Sequence, residues 1–341
     1  MEVLEGYAEM NLEEIYFPVK QELKRVEERL ENIVTSEIYP IFESYDHILS
    51  SGGKRLRPAL VLLSAKSMNS NGSMIIDTAC AVELVHMASL RHDDIIDSAD
   101  LRRGKPAVHT VWSTETAVII GDYLFSRAME IMASHGNDAV IGILAQTFKR
   151  MAEGELLETF NRRNINITEE KYIDIITRKT AALMSTSCGI AAGIASATGA
   201  YDNALSQYGL NFGISYQVMD DLLDIISTDS QMGKPTLNNI REGNLPLPVI
   251  HLLRNGNSAL DKEQLISILS SKELGDTERR RLVELVSKSG ALSYTQSVAE
   301  EYADNAKAAL AVLEDSEYRQ CLLSLADLIV NSSNSLNNRA E

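Results

Sequence analysis

The helical period of the apolar residues is the feature that most constrains this fold. From Met74 to Ser98, from Asp138 to Asn161 and from Tyr201 to Ser227, apolar side chains recur at the spacing of a packed helix face. No segment shows the apolar and polar alternation of a half-buried strand, and no Gly-x-Gly-x-x-Gly turn is present. The sequence therefore predicts an all-α protein.

The remaining helical segments favour one large bundle over several domains. Further helices are expected over residues 13–33, 36–50, 108–135, 168–198, 277–288 and 294–313. The 341 residues, 45% of them hydrophobic, suffice for two domains or for one large core. No linker divides the sequence, so we expect 1–341 to form a single domain. Its chemical motifs lie in about 50–250, and the helices of 251–341 are expected to contribute packing.

Net charge and cysteine usage limit the partners and the compartment. The formal charge of −16 opposes a nucleic-acid surface, which requires a basic face. Cys80, Cys188 and Cys321 lack the spacing of a metal site, so we expect free thiols in a reducing compartment. The first residues lack the basic and apolar regions of a targeting segment. A cytoplasmic protein is therefore expected.

One uncharged stretch has the length of a membrane span. It runs from Ala181 to Tyr201 and is rich in Ala, Gly, Ser and Thr. These residues drive transfer into lipid only weakly, whereas small side chains permit close contact between helices. We expect a buried helix of a soluble bundle here, no integral membrane segment, and at most peripheral membrane contact.

Two acidic clusters of identical spacing carry the strongest chemical signal. The pattern Asp-Asp-x-x-Asp occurs at Asp93, Asp94 and Asp97 and again at Asp220, Asp221 and Asp224. On a helix, the first and last carboxylates share a face, and the second lies about 100° around it. One cluster alone is typical of a solvated helix face, but two facing clusters would repel each other without cations between them. Mg²⁺ fits, because it commonly joins carboxylates to substrate phosphates.

Basic residues accompany the acidic clusters and suggest more than one phosphorylated ligand. Each is typical of a solvated loop or helix turn when taken alone. His86 lies two turns before Asp93 on about the same helix face. The separate basic positions are Lys54 with Arg57, Arg102 with Arg103, and Lys179 with Lys234.

The order of the motifs resembles that of trans-polyprenyl diphosphate synthases over roughly residues 50 to 250. The matching motifs are Gly52-Gly53-Lys54-Arg55-Leu56-Arg57-Pro58, His86 with Ser89-Leu90, His92-Asp93-Asp94-Ile95-Ile96-Asp97, Arg102-Arg103-Gly104-Lys105-Pro106, Gly121-Asp122-Tyr123-Leu124, Lys179-Thr180-Ala181, Tyr216-Gln217 and Asp220-Asp221-Leu222-Leu223-Asp224. The resemblance implies an isoprenoid synthase fold, a helical bundle around a deep cavity, and usually a homodimer.

The resemblance also implies a reaction and a role for each motif. Isopentenyl diphosphate would join head to tail with an allylic diphosphate, and pyrophosphate would leave. Both acidic clusters would hold Mg²⁺ against the allylic diphosphate, assisted by Arg102, Lys179 and Lys234. The diphosphate of isopentenyl diphosphate would bind Lys54, Arg57, His86 and Arg103, with Thr180 and Gln217 lining the site.

Product length is expected to depend on Ala88 and Ser89, about one turn before the first cluster. Bulky residues at these positions stop growth early in the family, so the small ones here predict an all-trans product longer than C15. C20 is the lower edge, and C30 to C50 is favoured. The loop after the second cluster departs from the family pattern at Asn239, Asn244 and Pro246. Because Asn239 has no charge where the family usually has an aspartate, the sequence does not decide what positions a metal ion or a lysine in this loop.

Three other functions remain compatible with parts of the sequence. A class I terpene cyclase would use the aspartates but would not need the predicted isopentenyl diphosphate site. A non-catalytic subunit of a heteromeric prenyl synthase would tend to lose aspartates, whereas both clusters are complete. A structural metal-binding protein would leave the cations unexplained.

Overall fold

The computed structural model of this chain is a bundle of helices. It describes residues 9–33, 38, 41, 43, 53–102, 104–194, 199–227, 236–256, 258–271 and 275–337. The N-terminal helices are α1 (Glu9–Tyr16), α2 (Lys20–Ile33), α3 (Leu56–Ser67) and α4 (Ser73–Ile96). A hairpin of β1 (Leu101–Arg102) and β2 (Lys105–Pro106) follows, and then α5 (Val108–Val111), α6 (Thr114–Ser134), α7 (Asp138–Asn161) and α8 (Glu169–Ile176).

The second half of the chain continues the bundle. A π-helical turn, Thr177–Ala181, joins α8 to α9 (Ala182–Ile194), and α10 (Gly199–Ile226) follows. The remaining helices are α11 (Asn238–Glu242), α12 (Leu247–Asn255), α13 (Ala259–Leu269), α14 (Asp276–Lys288), α15 (Ala291–Ala309) and α16 (Glu317–Asn337). Single 3₁₀ turns lie at Phe17–Val19 and Leu310–Val312.

The core lies around α4, α9 and α10, which are apolar on most of their circumference. Such helices are stable only when neighbours cover them, and here α4 packs against α6 while α10 packs between α9 and α15. Tyr208 and Phe212 are fully buried on α10, and the Tyr208 hydroxyl donates to the carbonyl of Leu322 at 2.6 Å. The prediction of an all-α bundle is confirmed.

The uncharged stretch beginning at Ala181 forms a buried helix, as predicted. Within it, α9 is short and mostly buried, and residues 195–198 lie outside the described part of the chain. The described helix with the length and apolarity of a membrane span is instead α4, and 83% of its most apolar window is buried inside the protein. Its composition is therefore explained by its central place in the bundle.

One prediction of local structure was wrong, and two local features were not predicted. The helix expected over 108–135 breaks before α6, because Ser113 caps a new N-terminus by accepting from the Thr116 amide at 3.1 Å. The helix expected over 168–198 contains the π-helical turn. The motif that begins at Arg102 contributes to a hairpin in which Arg102 pairs with Lys105. The helix expected over 36–50 falls mainly outside the described residues.

Candidate active site

A cavity of about 180 Å³ brings most of the predicted site residues together. Those that line it are Arg57, His86, Ser89, Asp93, Asp97, Arg102, Lys179, Thr180, Gln217, Asp220 and Asp221. Four described residues that were predicted for the site do not line it, namely Lys54, Ala88, Asp94 and Asp224. Arg103 and Lys234 lie outside the described residues. The two acidic clusters thus face one cavity, from α4 and from α10.

In the first cluster, Asp94 is separated from its two neighbours. Asp93 and Asp97 line the cavity from one face of α4, whereas Asp94 is almost fully buried beside the hairpin. Its Oδ1 accepts from Nε and Nη2 of Arg102 at 2.8 and 2.5 Å. This geometry does not support Asp94 as a metal ligand, and it gives the Arg102 guanidinium a carboxylate partner beside the cavity.

Arg162 is a site residue that the sequence did not reveal. Its Nη2 donates to Oδ1 of Asp97 at 2.5 Å, and its Nη1 donates to the carbonyl of Ile96 at 3.2 Å. These bonds join the C-terminal ends of α7 and α4 and fix one oxygen of Asp97. Local spacing in the sequence gave no signal for this contact, because Arg162 and Asp97 are 65 residues apart.

Lys179 lies among carboxylates from two helices. Its ammonium contacts Oε2 of Glu155 at 2.8 Å and also Oε2 of Glu158, while Asp93 and Asp97 lie close by on α4. Glu155 and Glu158 were not predicted. Their separation of three residues puts them on one face of α7, but the sequence did not show that this face meets Lys179.

The carboxylates near Lys179 outweigh its single positive charge. Burial raises the pKa of Asp93 to about 8 against the lowering effect of Lys179, and Glu155 and Asp97 raise it further. Burial likewise raises the pKa of Glu242, which also lines the cavity, to about 8. Such shifts indicate excess negative charge in a poorly solvated space. A divalent cation would relieve it.

In the second cluster, hydrogen bonds hold Asp221 in one orientation. It accepts from the Tyr172 hydroxyl at 2.7 Å, from Gln217 Nε2 at 2.9 Å and from Asn239 Nδ2 at 3.0 Å. Burial raises its pKa to about 7, although the bonds from Tyr172 and Gln217 oppose the rise. Asn239, which departs from the family pattern, therefore supplies a donor that an aspartate could not. Thr180 extends the network by donating to Gln217 Oε1 at 3.0 Å.

Asp220 and Asp224 take different places in the second cluster. Asp220 lines the cavity, and Asp224 is buried behind it on α10. The main-chain carbonyl of Asp224 accepts from the Leu237 amide at 3.2 Å, a bond that fixes the start of α11. Among the three aspartates of this cluster, Asp220 and Asp221 line the cavity and Asp224 does not.

The residues predicted for product length are also separated. Ser89 lines the cavity, and its hydroxyl donates to the His86 carbonyl at 2.9 Å. Ala88 is fully buried in the hydrophobic core and does not face the cavity. Of the two residues, Ser89 lines the cavity and Ala88 packs in the core, because adjacent helical positions point about 100° apart.

The donor set suits a metal that arrives with a phosphate ligand. Among the described residues, no three His, Cys, Asp or Glu side chains form a group able to hold a metal by themselves. Mg²⁺ keeps several waters and often takes one or two carboxylates together with substrate phosphates. Asp93, Asp97 and Asp220 offer such carboxylates around one cavity, and burial together with Glu155 and Asp97 raises the pKa of Asp93 there.

Comparison with known proteins identifies the family. The model of the polyprenyl synthetase family matches residues 39–286. The chain belongs to the polyprenyl synthetase family. This confirms the resemblance drawn from the motifs and extends it beyond residues 50 to 250.

Individual members of the polyprenyl synthetase family match nearly the whole chain. It is 32% identical to the octaprenyl diphosphate synthase of Escherichia coli, over 94% of this chain and 99% of that protein. It is 35% identical to heptaprenyl diphosphate synthase component 2 of Geobacillus stearothermophilus, over 93% of this chain and 98% of that protein. A polyprenyl synthase of Caulobacter crescentus, crystallised with calcium and isoprenyl diphosphate, superimposes on this chain with a TM-score of 0.89. The two are 33% identical, and the match covers 94% of this chain and 97% of that one.

Proposed function

We propose that this chain condenses isopentenyl diphosphate head to tail with an allylic diphosphate, releasing pyrophosphate and forming an all-trans polyprenyl diphosphate. The observation that carries the proposal is the meeting of both acidic clusters, Lys179 and the Arg57 and His86 pair at one cavity. A terpene cyclase would not need the last pair, and the family membership does not favour it. Incorporation of labelled isopentenyl diphosphate into an allylic primer tests the proposal.

The cavity has the parts that ionisation of an allylic diphosphate requires. Asp93, Asp97 and Asp220 would hold Mg²⁺, which when bound supplies charge stabilisation to the departing pyrophosphate. Lys179 binds the same diphosphate once it leaves Glu155 and Glu158. Leu90, Met151 and Ile176 supply apolar walls that keep water from the allylic cation. The chain needs no protein nucleophile, because pyrophosphate can accept the proton lost after condensation.

The assignment of metal ligands is tested by binding rather than by turnover. We expect Asp93→Asn to weaken Mg²⁺-dependent binding of pyrophosphate by about 100-fold, because a lost ligand removes several kcal/mol of charge stabilisation. Asp315→Asn is the control, since Asp315 is exposed and remote from the cavity. Titration calorimetry measures both. Equal affinities would remove Asp93 from the proposed ligand set.

We propose a product longer than C15, with C30 to C50 favoured over C20. Ser89 leaves the wall of the cavity open on α4. One turn below Met151 on α7, Phe148 stacks on Phe125 of α6 with ring centroids 3.8 Å apart, and this pair would form the floor. The names of the octaprenyl and heptaprenyl relatives support a long product. Sizing the products made from several primers tests it, and a C15 limit would refute it.

We propose that the chain acts as one domain in the cytoplasm and forms a homodimer through α6 and α7. These helices pack together, and they expose Ile119, Leu156 and Phe160 to solvent. Large apolar side chains exposed on two packed helices are typical of an interface. Membrane contact would be peripheral, during product release.

Sedimentation tests the dimer with a matched pair of variants. Ile119→Asp should give monomers, whereas Leu260→Asp on α13 should not, although the two side chains are 63% and 61% exposed. A wild-type monomer would contradict the homodimer. It would instead favour a heteromeric partner, to which the name of the heptaprenyl component 2 relative points.

A further inference from the structure

Two consecutive cavity residues, Lys179 and Thr180, lie in the π-helical turn between α8 and α9. Such turns add one residue to a helix and occur often at functional sites. Here the turn directs the Lys179 ammonium to the carboxylates of α4 and α7. It directs the Thr180 hydroxyl to Gln217, and through Gln217 to Asp221. Both acidic clusters are therefore connected through the geometry of this turn.

A glycine of α7 lies against one side of the turn. A Cβ atom on Gly154 would stand 2.5 Å from the Lys179 nitrogen and 2.9 Å from the Lys179 Cα. These are backbone atoms, so no side-chain movement could relieve the overlap. The residues that flank the glycine bind the same turn, since Glu153 contacts Arg178 at 2.8 Å and Glu155 contacts Lys179 at 2.8 Å.

A second glycine, on α10, lies against the turn at its C-terminal end. A Cβ atom on Gly213 would stand 2.6 Å from the Ala181 Cα and 2.8 Å from the Ala181 Cβ. The turn is thus in backbone contact with α7 at Lys179 and with α10 at Ala181. Larger residues at either glycine would displace it.

We infer that Gly154 and Gly213 are positioning residues for the reaction, acting through the π-helical turn. By allowing close approach of α7 and α10, they set where the Lys179 ammonium and the Thr180 hydroxyl lie relative to the two acidic clusters. The inference rests on the proposed function insofar as Lys179 binds the allylic diphosphate. Its structural part, the placement of the turn, does not depend on the reaction.

Alanine substitutions at two glycines of one helix distinguish a steric effect on the turn from the general effect of alanine on helix stability. Gly142 also lies on α7, but a Cβ there would meet nothing within 4 Å. Gly142→Ala should therefore match the wild type in activity, whereas Gly154→Ala should lower kcat/KM for the allylic primer about 100-fold, the effect of a displacement near 1 Å. Mg²⁺-dependent pyrophosphate binding should weaken with it. The KM for isopentenyl diphosphate should change less, because its diphosphate would bind Arg57 and His86, which lie outside the turn. Gly213→Ala should show the same pattern.

A variant without steric overlap keeps the inference testable if Gly154→Ala does not fold. Arg178→Gln removes the bonds from the turn to Glu153 on α7 and to Asp174 on α8, and it should lower kcat about three- to tenfold with a smaller change in the KM for isopentenyl diphosphate. Arg150→Gln, at an exposed position of α7, is its control. Activity and pyrophosphate binding of Gly154→Ala equal to those of Gly142→Ala, or an effect of Arg178→Gln no larger than that of Arg150→Gln, would overturn the inference. A wild-type protein that forms no product would refute the proposed function instead.

Discussion

Replacing Lys179 by methionine should destabilise the metal-free protein. Although burial opposes the charge, the carboxylates around Lys179 hold its pKa well above the usual range. Methionine keeps the apolar stem but leaves Glu155 and Glu158 without their common partner. Unpaired carboxylates in a poorly solvated space are costly. The loss should therefore appear in folding stability, apart from any effect on catalysis.

The magnitude follows from the burial of the three side chains. Removing one partner of a buried ion pair costs about 3–5 kcal/mol. Partial exposure remains, at 22%, 13% and 17% for the side chains of Lys179, Glu155 and Glu158. We therefore expect a loss in the free energy of unfolding at the lower end of this range, about 3 kcal/mol. With a urea m-value near 3 kcal/mol/M, the unfolding midpoint should fall by about 1 M.

Urea denaturation of four proteins, each with EDTA present, measures this effect. They are the wild type, Lys179→Met, Glu158→Gln and the double variant. The double variant should be more stable than Lys179→Met, because neutralising Glu158 removes one unpaired charge. A midpoint of Lys179→Met equal to that of the wild type would refute the argument. So would a double variant less stable than Lys179→Met.

Three further predictions concern product length and pH. Ser89→Phe should shorten the product, since Ser89 lines the cavity, and an unchanged size distribution would place the growing chain elsewhere. Tyr172→Phe removes a hydrogen bond that lowers the pKa of Asp221. The acidic limb of the pH–rate profile should therefore move to higher pH, and an unshifted limb would contradict this. Raised pKa values of Asp93 and Glu242 mean that the folded protein binds more protons than the unfolded chain between about pH 4 and 8. The metal-free protein should therefore melt at a higher temperature near pH 6 than near pH 9, and the reverse order would show that these carboxylates are not so perturbed.

Local spacing was sufficient to predict three long core helices and the orientation of the first cluster. The period of the apolar residues placed α4, α7 and α10 within two residues of their observed ends. The offset of Asp94 by about 100° from Asp93 contained the signal that only Asp93 and Asp97 share a face. The same rule separates Ala88 from Ser89. In both cases the offset between adjacent helical positions is enough to separate the two side chains.

Contacts between distant segments could not be predicted from local spacing. Glu155 and Glu158 lie in a helix without a recognisable motif, and their role depends on a lysine more than twenty residues away. Arg162 was not predicted, because its bond to Asp97 joins residues that are 65 positions apart in the sequence. The π-helical turn has no local marker either, because the glycines that contact it belong to α7 and α10. The hairpin at 101–106 has strands of two residues, too short to show alternation.

The most direct test of the account is transfer of a prenyl group at this cavity. Purified protein is incubated with Mg²⁺, labelled isopentenyl diphosphate and allylic primers of increasing length, with Asp97→Asn and Asp315→Asn in parallel. We predict one pyrophosphate released per labelled unit incorporated, products longer than C15, loss of both signals in Asp97→Asn, and wild-type behaviour in Asp315→Asn. No incorporation by the wild type with any primer, or full activity of Asp97→Asn, would contradict the account.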